Sequence, residues 1–126
     1  MNGNGEKSGN PETLLPLTPA VFHILLALAD GEKHGYGIMK EIGQRTEGAV
    51  RMGPGTLYGS LERMMKAKLI EASEERPDPA LDDERRRYYR VTSFGLRVAQ
   101  AEAHRLNQLL QIAQAKKVFV ASQGGN

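Results

Sequence analysis

Cysteine is absent from this chain. That excludes disulfides, thiolate metal sites and a cysteine nucleophile, and it suits a reducing compartment. Histidine is scarce, and His23, His34 and His104 fall on three separate segments. None has a partner at metal-ligand spacing, and no G-x-S-x-G nucleophile turn is present. Carboxylates crowd together only in a stretch that reads as a solvated loop. The sequence therefore offers no catalytic residue, no metal site and no cofactor site. No apolar run approaches the ~20 residues of a membrane span, and the polar opening Met1 to Pro16 lacks the apolar region of a signal peptide. A cytoplasmic protein without a membrane partner is the expectation.

A large charge of one sign is missing too. The net charge is +2, although the isoelectric point is about 9.0. Bulk charge is thus weak evidence for a nucleic-acid partner, and its distribution matters more. Between Gly48 and Lys68 the bases Arg51, Arg63, Lys66 and Lys68 face one acid, Glu62. Between Leu69 and Glu84 seven acids face Arg76 alone. Between Arg85 and Arg105 six arginines face Glu102 alone. The chain alternates charged blocks, which is more specific than a diffuse positive surface.

With 126 residues, 40 % of them hydrophobic, the chain suits one small domain plus a dimerisation element. Residues 1–16 are rich in Gly, Asn, Ser and Pro and read as a disordered arm. Thr18 before Pro19 reads as a helix cap followed by proline in the first turn. The helix that follows is apolar on most sides and ends at Asp30-Gly31, so it belongs in a core. Gly35 opens a second helix, Tyr36 to about Thr46, with Ile38, Met39 and Ile42 on one face. Pro54 starts a third, to about Lys68, with Leu57, Leu61 and Met64 on one stripe. Two strands follow around a polar loop, Arg76 to Asp83, with Arg86 to Thr92 as the second strand. In that strand Tyr89 and Val91 share the core face, leaving Tyr88 with Arg86 and Arg90.

Ser93 begins a last helix, extending to about Val120. Leu96, Ala99, Ala103, Leu106, Leu110 and Ala113 recur at alternating steps of three and four. That heptad pattern reads as a seam pairing with a second copy of the chain. The expected domains are thus a winged helix-turn-helix over 17–92, a dimerisation helix over 93–120 and a flexible tail over 121–126. The fold class is mainly α with a small β-hairpin.

Three helices followed by a hairpin is the order of a winged helix-turn-helix. Its third helix must be apolar behind, to be held rigid, and polar or basic in front, to enter a major groove. This one meets both conditions. The candidate contacts to double-stranded DNA are Arg51, Thr56, Tyr58, Ser60 and Arg63 around the third helix, and Arg85 and Arg86 in the wing. Tyr58 lies at the edge of the helical wheel, where packing and DNA contact both remain open. A winged helix that binds protein in place of DNA is the alternative.

The stretches His34-Gly35-Tyr36-Gly37-Ile38, Gly55-Thr56-Leu57-Tyr58 and Arg87-Tyr88-Tyr89-Arg90-Val91-Thr92, with Gly95, resemble the PadR family of transcriptional regulators over roughly residues 18–117. The resemblance implies a winged helix-turn-helix homodimer that usually represses transcription. It also implies that Gly55 to Tyr58 is the DNA-reading end of the third helix, and that the arginines before Tyr88 belong to the wing. Some members release DNA on binding small aromatic or drug-like molecules near the dimer interface, so a small-molecule effector is an expectation here. Two departures stand out: Gly59, where many relatives carry proline, and the acidic run Asp82-Asp83-Glu84 beside the wing arginines.

Overall fold

A computed structural model of the chain describes residues 9–77 and 85–120, without the side chains of Pro77 and Arg85. Thr18 and Pro19 begin the first helix as their chemistry dictates. The Thr18 side chain accepts from the Val21 N–H, and proline occupies the first turn of α1, Pro19–Leu28. His34 caps α2, Gly35–Arg45, through its Nδ1, which accepts from the Gly37 N–H at 3.0 Å. Gly53 precedes α3, Pro54–Lys66, with proline again at its start and no side-chain cap. Thr92 caps α4, Ser93–Ala115, by accepting from the Gly95 N–H at 2.9 Å.

The core forms where the apolar stripes of these helices meet. Ile24, Leu25 and Leu28 of α1, Ile38 and Ile42 of α2, and Leu57, Leu61 and Met64 of α3 are all buried. Leu69, Ile70, Tyr89, Phe94 and Val98 close the cluster from the strands and from α4. The strands are β1, Lys33–His34, β2, Ile70–Ala72, β3, Arg76–Pro77, β4, Arg85–Arg86, and β5, Tyr88–Val91. β5 is the centre of a three-stranded antiparallel sheet in the order β1-β5-β2. It pairs Tyr89 with both Lys33 and Ala72. β3 and β4 pair separately, Arg76 with Arg86, and extend the hairpin outward as the wing. Tyr89 and Val91 do face the core, as their alternation predicts. The architecture is a mainly helical winged helix-turn-helix.

Four expectations need correction. β1 escapes the sequence reading because two residues carry no period. Arg76–Pro77 is strand, not loop. Residues 9–16 are structured, because Pro11–Leu14 form a 3-10 turn packed on α4. Asn10 caps that turn, and Leu15 and Leu17 pack on the core. Finally, α4 ends at Ala115, short of Val120. The Val118 N–H donates to Ala113 O at 2.8 Å and the Lys117 N–H to Gln114 O at 3.1 Å, with Lys117 at φ 62°. That is a Schellman ending whose left-handed position holds lysine instead of glycine. The 121–126 tail and the Asp82–Glu84 run lie outside the described residues.

Candidate nucleic-acid interface

α3 is built on a stripe that spans four residues, not three. Leu57, Ser60, Leu61 and Met64 are each at most 1 % exposed. Ser60 was expected to face DNA, but it sits three residues after Leu57 and four before Met64, which puts it on the buried face. Its hydroxyl accepts from Arg63 Nη2 at 3.3 Å. Ser60 therefore presents nothing outward and only receives an arginine that lies back along the helix.

The opposite face is open. Thr56, Tyr58, Glu62, Arg63 and Lys66 are exposed. Gly55 has nothing near the position a Cβ would take, and Gly59 has only the Arg63 guanidinium, at 3.5 Å. Arg51, also exposed, precedes the helix and reaches back to the Gly48 carbonyl at 3.4 Å. Tyr58 stands at the edge, 44 % exposed. Its hydroxyl end lies so close over Gly35 that any side chain at 35 would overlap it. Glycine at the start of α2 is thus a matter of close approach, and Tyr58 is partly packed and partly presented.

The wing reaches the same side of the molecule. A polar cleft of about 370 Å³ opens between the start of α2, Tyr58 of α3 and the wing. Arg86, Arg87 and Glu75 line its wing side, with buried Tyr89 as another wall. Burial pushes the Tyr89 hydroxyl up from its ordinary pKa, so it stays neutral. Arg85 belongs to β4 by its backbone, and its side chain lies outside the described residues. Arg87 was not among the expected contacts, although it is exposed and shares the cleft. Arg90 turns elsewhere and pairs with Glu71 across the sheet at 3.1 Å. Arg76 lies over the Tyr88 ring, 3.8 Å from its centroid, and pairs with Glu32. The base of the wing is thereby tied to the α1–β1 connection.

α4 has two faces. Phe94, Gly95, Val98 and Glu102 are buried on its own domain. Glu102 is 2 % exposed and takes the Leu17 N–H at 3.2 Å and Arg105 Nε and Nη2 at 2.6 and 3.0 Å. The Arg105 hydrogen bonds hold its carboxyl below the usual carboxylate range, against the upward push of burial. Beyond it the domain core ends, and Leu106, Leu109, Leu110 and Ile112 are all exposed. Leu96 and Ala103 are exposed too, Ala113 is half-buried, and Ala99 also packs on its own core. Leu109 and Ile112 were missed because they fall off the strict heptad, and they widen the apolar surface well beyond a narrow seam. A mostly apolar cleft of about 310 Å³ lies beside this surface, between Leu17, Pro19 and Phe22 on one side and Glu102, Arg105 and Leu106 on the other.

Among the described residues, no His, Asp and Glu side chains form a group of three or more disposed to hold a metal ion. No described helix is long and apolar enough to cross a membrane.

The family model for the transcriptional regulator PadR-like family matches residues 24–101. A transcriptional regulator of Mycobacterium tuberculosis is 31 % identical over 102 residues, covering 81 % of this chain and 89 % of that one. A 37.1 kDa protein of transposon TN4556 in Streptomyces fradiae is 37 % identical over 86 residues, covering 68 % of this chain. The chain spans only 22 % of that protein's length, and 63 % of the length of a relative from Lysinibacillus sphaericus. In three dimensions the fold matches the crystal structure of a PadR family transcription regulator from Clostridium difficile, with a TM-score of 0.66 at 21 % identity. That match covers 78 % of this chain and 97 % of the other.

Proposed function

This chain belongs to the PadR-like family of transcriptional regulators, and from that premise we propose that it is a sequence-specific repressor acting as a homodimer on an inverted-repeat operator. The observation that carries this reading is the shared direction of α3 and the wing. Thr56, Tyr58 and Arg63 are exposed on α3, and Tyr58 shares one polar cleft with Arg86 and Arg87 of the wing. A helix lodged in a major groove with its wing on the flanking backbone uses that arrangement. In this reading Thr56, Tyr58 and Arg63 face base edges, and Arg51, Arg85, Arg86 and Arg87 contact phosphate.

Dimerisation is supported by α4, whose distal half exposes four large apolar side chains. Surface of that kind on a small domain marks an interaction site. We assign the seam to Leu96, Ala99, Ala103, Leu106, Leu110 and Ala113, flanked by Leu109 and Ile112. The mostly apolar cleft between the start of α1 and α4 supports a small-molecule effector, since a ligand there would lie against that seam. We place the protein in the cytoplasm, where its DNA target would be.

A gel shift on genomic fragments with excess random competitor tests the central claim. Retention of a discrete fragment, and a symmetric footprint on it, are the expected results. Binding that the competitor abolishes on every fragment would favour a protein-interaction module instead.

A further inference from the structure

The line of α3 farthest from the core runs through Gly55, Gly59, Glu62 and Lys66, at steps of four, three and four opposite the buried Leu57, Ser60, Leu61 and Met64. For two turns that line is bare. Gly55 meets nothing within 4 Å, and Gly59 only the tip of Arg63. The first side chain on it beyond the glycines is a carboxylate. Glu62 is exposed and makes no side-chain hydrogen bond or ion pair among the described residues, although Arg63 and Lys66 are beside it in sequence. Arg63 turns back to Ser60 instead.

A carboxylate on the outermost line of a face that meets a polyanion is unfavourable unless the polyanion offers it a donor. Phosphates and sugars of DNA offer none that suits. The major groove offers two, the amino groups of cytosine and adenine. Adenine N6 sits beside the N7 acceptor, which repels a carboxylate. Cytosine N4 has no acceptor beside it on its own base edge. We propose that Glu62 reads cytosine in each half-site by accepting a hydrogen bond from its N4 amino group. Glu62 lies about 9 Å along the helix axis from Thr56 at 1.5 Å per residue, so it reads a base pair distinct from those under the start of the helix. The same charge repels the backbone whenever the helix is out of register, which lowers the affinity for random DNA.

This inference rests on the DNA-reading assignment of α3, and the experiment separates the two. A random-sequence duplex pool is selected with the parent and with Glu62→Ala, which removes both the acceptor and the charge, and both proteins are titrated on the parent's best sequence and on random DNA at several salt concentrations. Circular dichroism and dimer mass should be unchanged, since the Glu62 side chain makes no hydrogen bond or ion pair among the described residues. The expected result is a parent preference for cytosine at one symmetric position pair, relaxed on the order of 10-fold in the variant, with random DNA bound as well or better. Preferences elsewhere in the site should stay. An unaltered preference at every position, or an equal change on all DNA, would overturn the assignment and leave Glu62 a solvated acid. If the parent itself selects no sequence, the DNA-reading assignment fails and the inference goes with it.

Discussion

Arg63 and the wing arginines do different physical work in this reading. An arginine that reads a base edge discriminates by about 1–3 kcal/mol, whereas one on phosphate releases counterions without reading sequence. Arg63→Ala should therefore weaken operator binding far more than random-DNA binding. Arg85→Ala with Arg86→Ala should weaken both and lower the salt slope by about one unit per lost contact. Titrations on both DNAs across salt concentrations decide this, and an equal loss on both for Arg63→Ala would remove it from base readout. Glu102 makes a separate, thermodynamic prediction. Its folded pKa is depressed, so its contribution is fully present above the ordinary value of 4.5 and is lost as pH falls through the lower folded value. Glu102→Gln should cost about 1–3 kcal/mol at neutral pH. In chemical denaturation the gap between parent and variant should narrow below about pH 4.5. A constant gap would mean that the Arg105 bonds contribute nothing through charge.

Among the described residues, three of the four α-helices end in the same way. Glu47, Lys68 and Lys117 hold positive φ of 55°, 67° and 62°. Each is followed by an N–H that returns to the carbonyl five residues earlier: Gly48 to Gly43, Leu69 to Met64, and Val118 to Ala113. These are Schellman endings without glycine at the left-handed position. A side chain there costs about 1 kcal/mol or more, so Glu47→Gly and Lys68→Gly should each stabilise the fold by about 0.5–1 kcal/mol. Thermal melts check this, and a lower midpoint would show that those side chains contribute more than the backbone strain costs. The contact between the residue before β2 and the start of α4 makes the opposite demand. A Cβ at Gly95 would overlap the Leu69 carbonyl oxygen, which already accepts from the Thr92 N–H at 3.0 Å. Gly95→Ala should destabilise by about 3 kcal/mol, because backbone cannot yield as a side-chain tip can.

In the proposed dimer the separate parts would act together on one operator. Leu106→Glu with Leu110→Glu places charge on the exposed apolar half of α4, away from the domain's own core. Light scattering should then report a monomer that keeps its helical signal. A double variant retaining the parent's mass would mean that the seam lies elsewhere. Two copies related by a twofold axis present two equal α3 helices to one side of the duplex. Half-site centres should then lie about 10 base pairs apart, or a multiple of that. The monomeric variant should lose most of its operator affinity while random-DNA binding falls less.

Much of this was legible in the residues alone, wherever the governing interaction is local. Thr18-Pro19 and Pro54 start helices because capping and proline geometry act within one turn. Leu57, Leu61 and Met64 declare a buried stripe through their period, and Tyr89 and Val91 declare a strand face. The PadR-like motifs of α2, α3 and β5 are short runs that carry their own meaning. What remained hidden depends on atoms distant in sequence. Ser60 is buried because the helices behind α3 close over a fourth position, which polarity alone would place outside. β1 exists only because β5 offers Lys33 and His34 its free edge. Leu17 is held by a carboxylate from α4 and the Pro11–Leu14 turn packs on the same helix, and no local pattern announces that. Leu109 and Ile112 lie on the side of α4 that faces its own domain nearer the start of the helix. They are exposed only because the domain ends before them, and the extent of a core is set by tertiary packing.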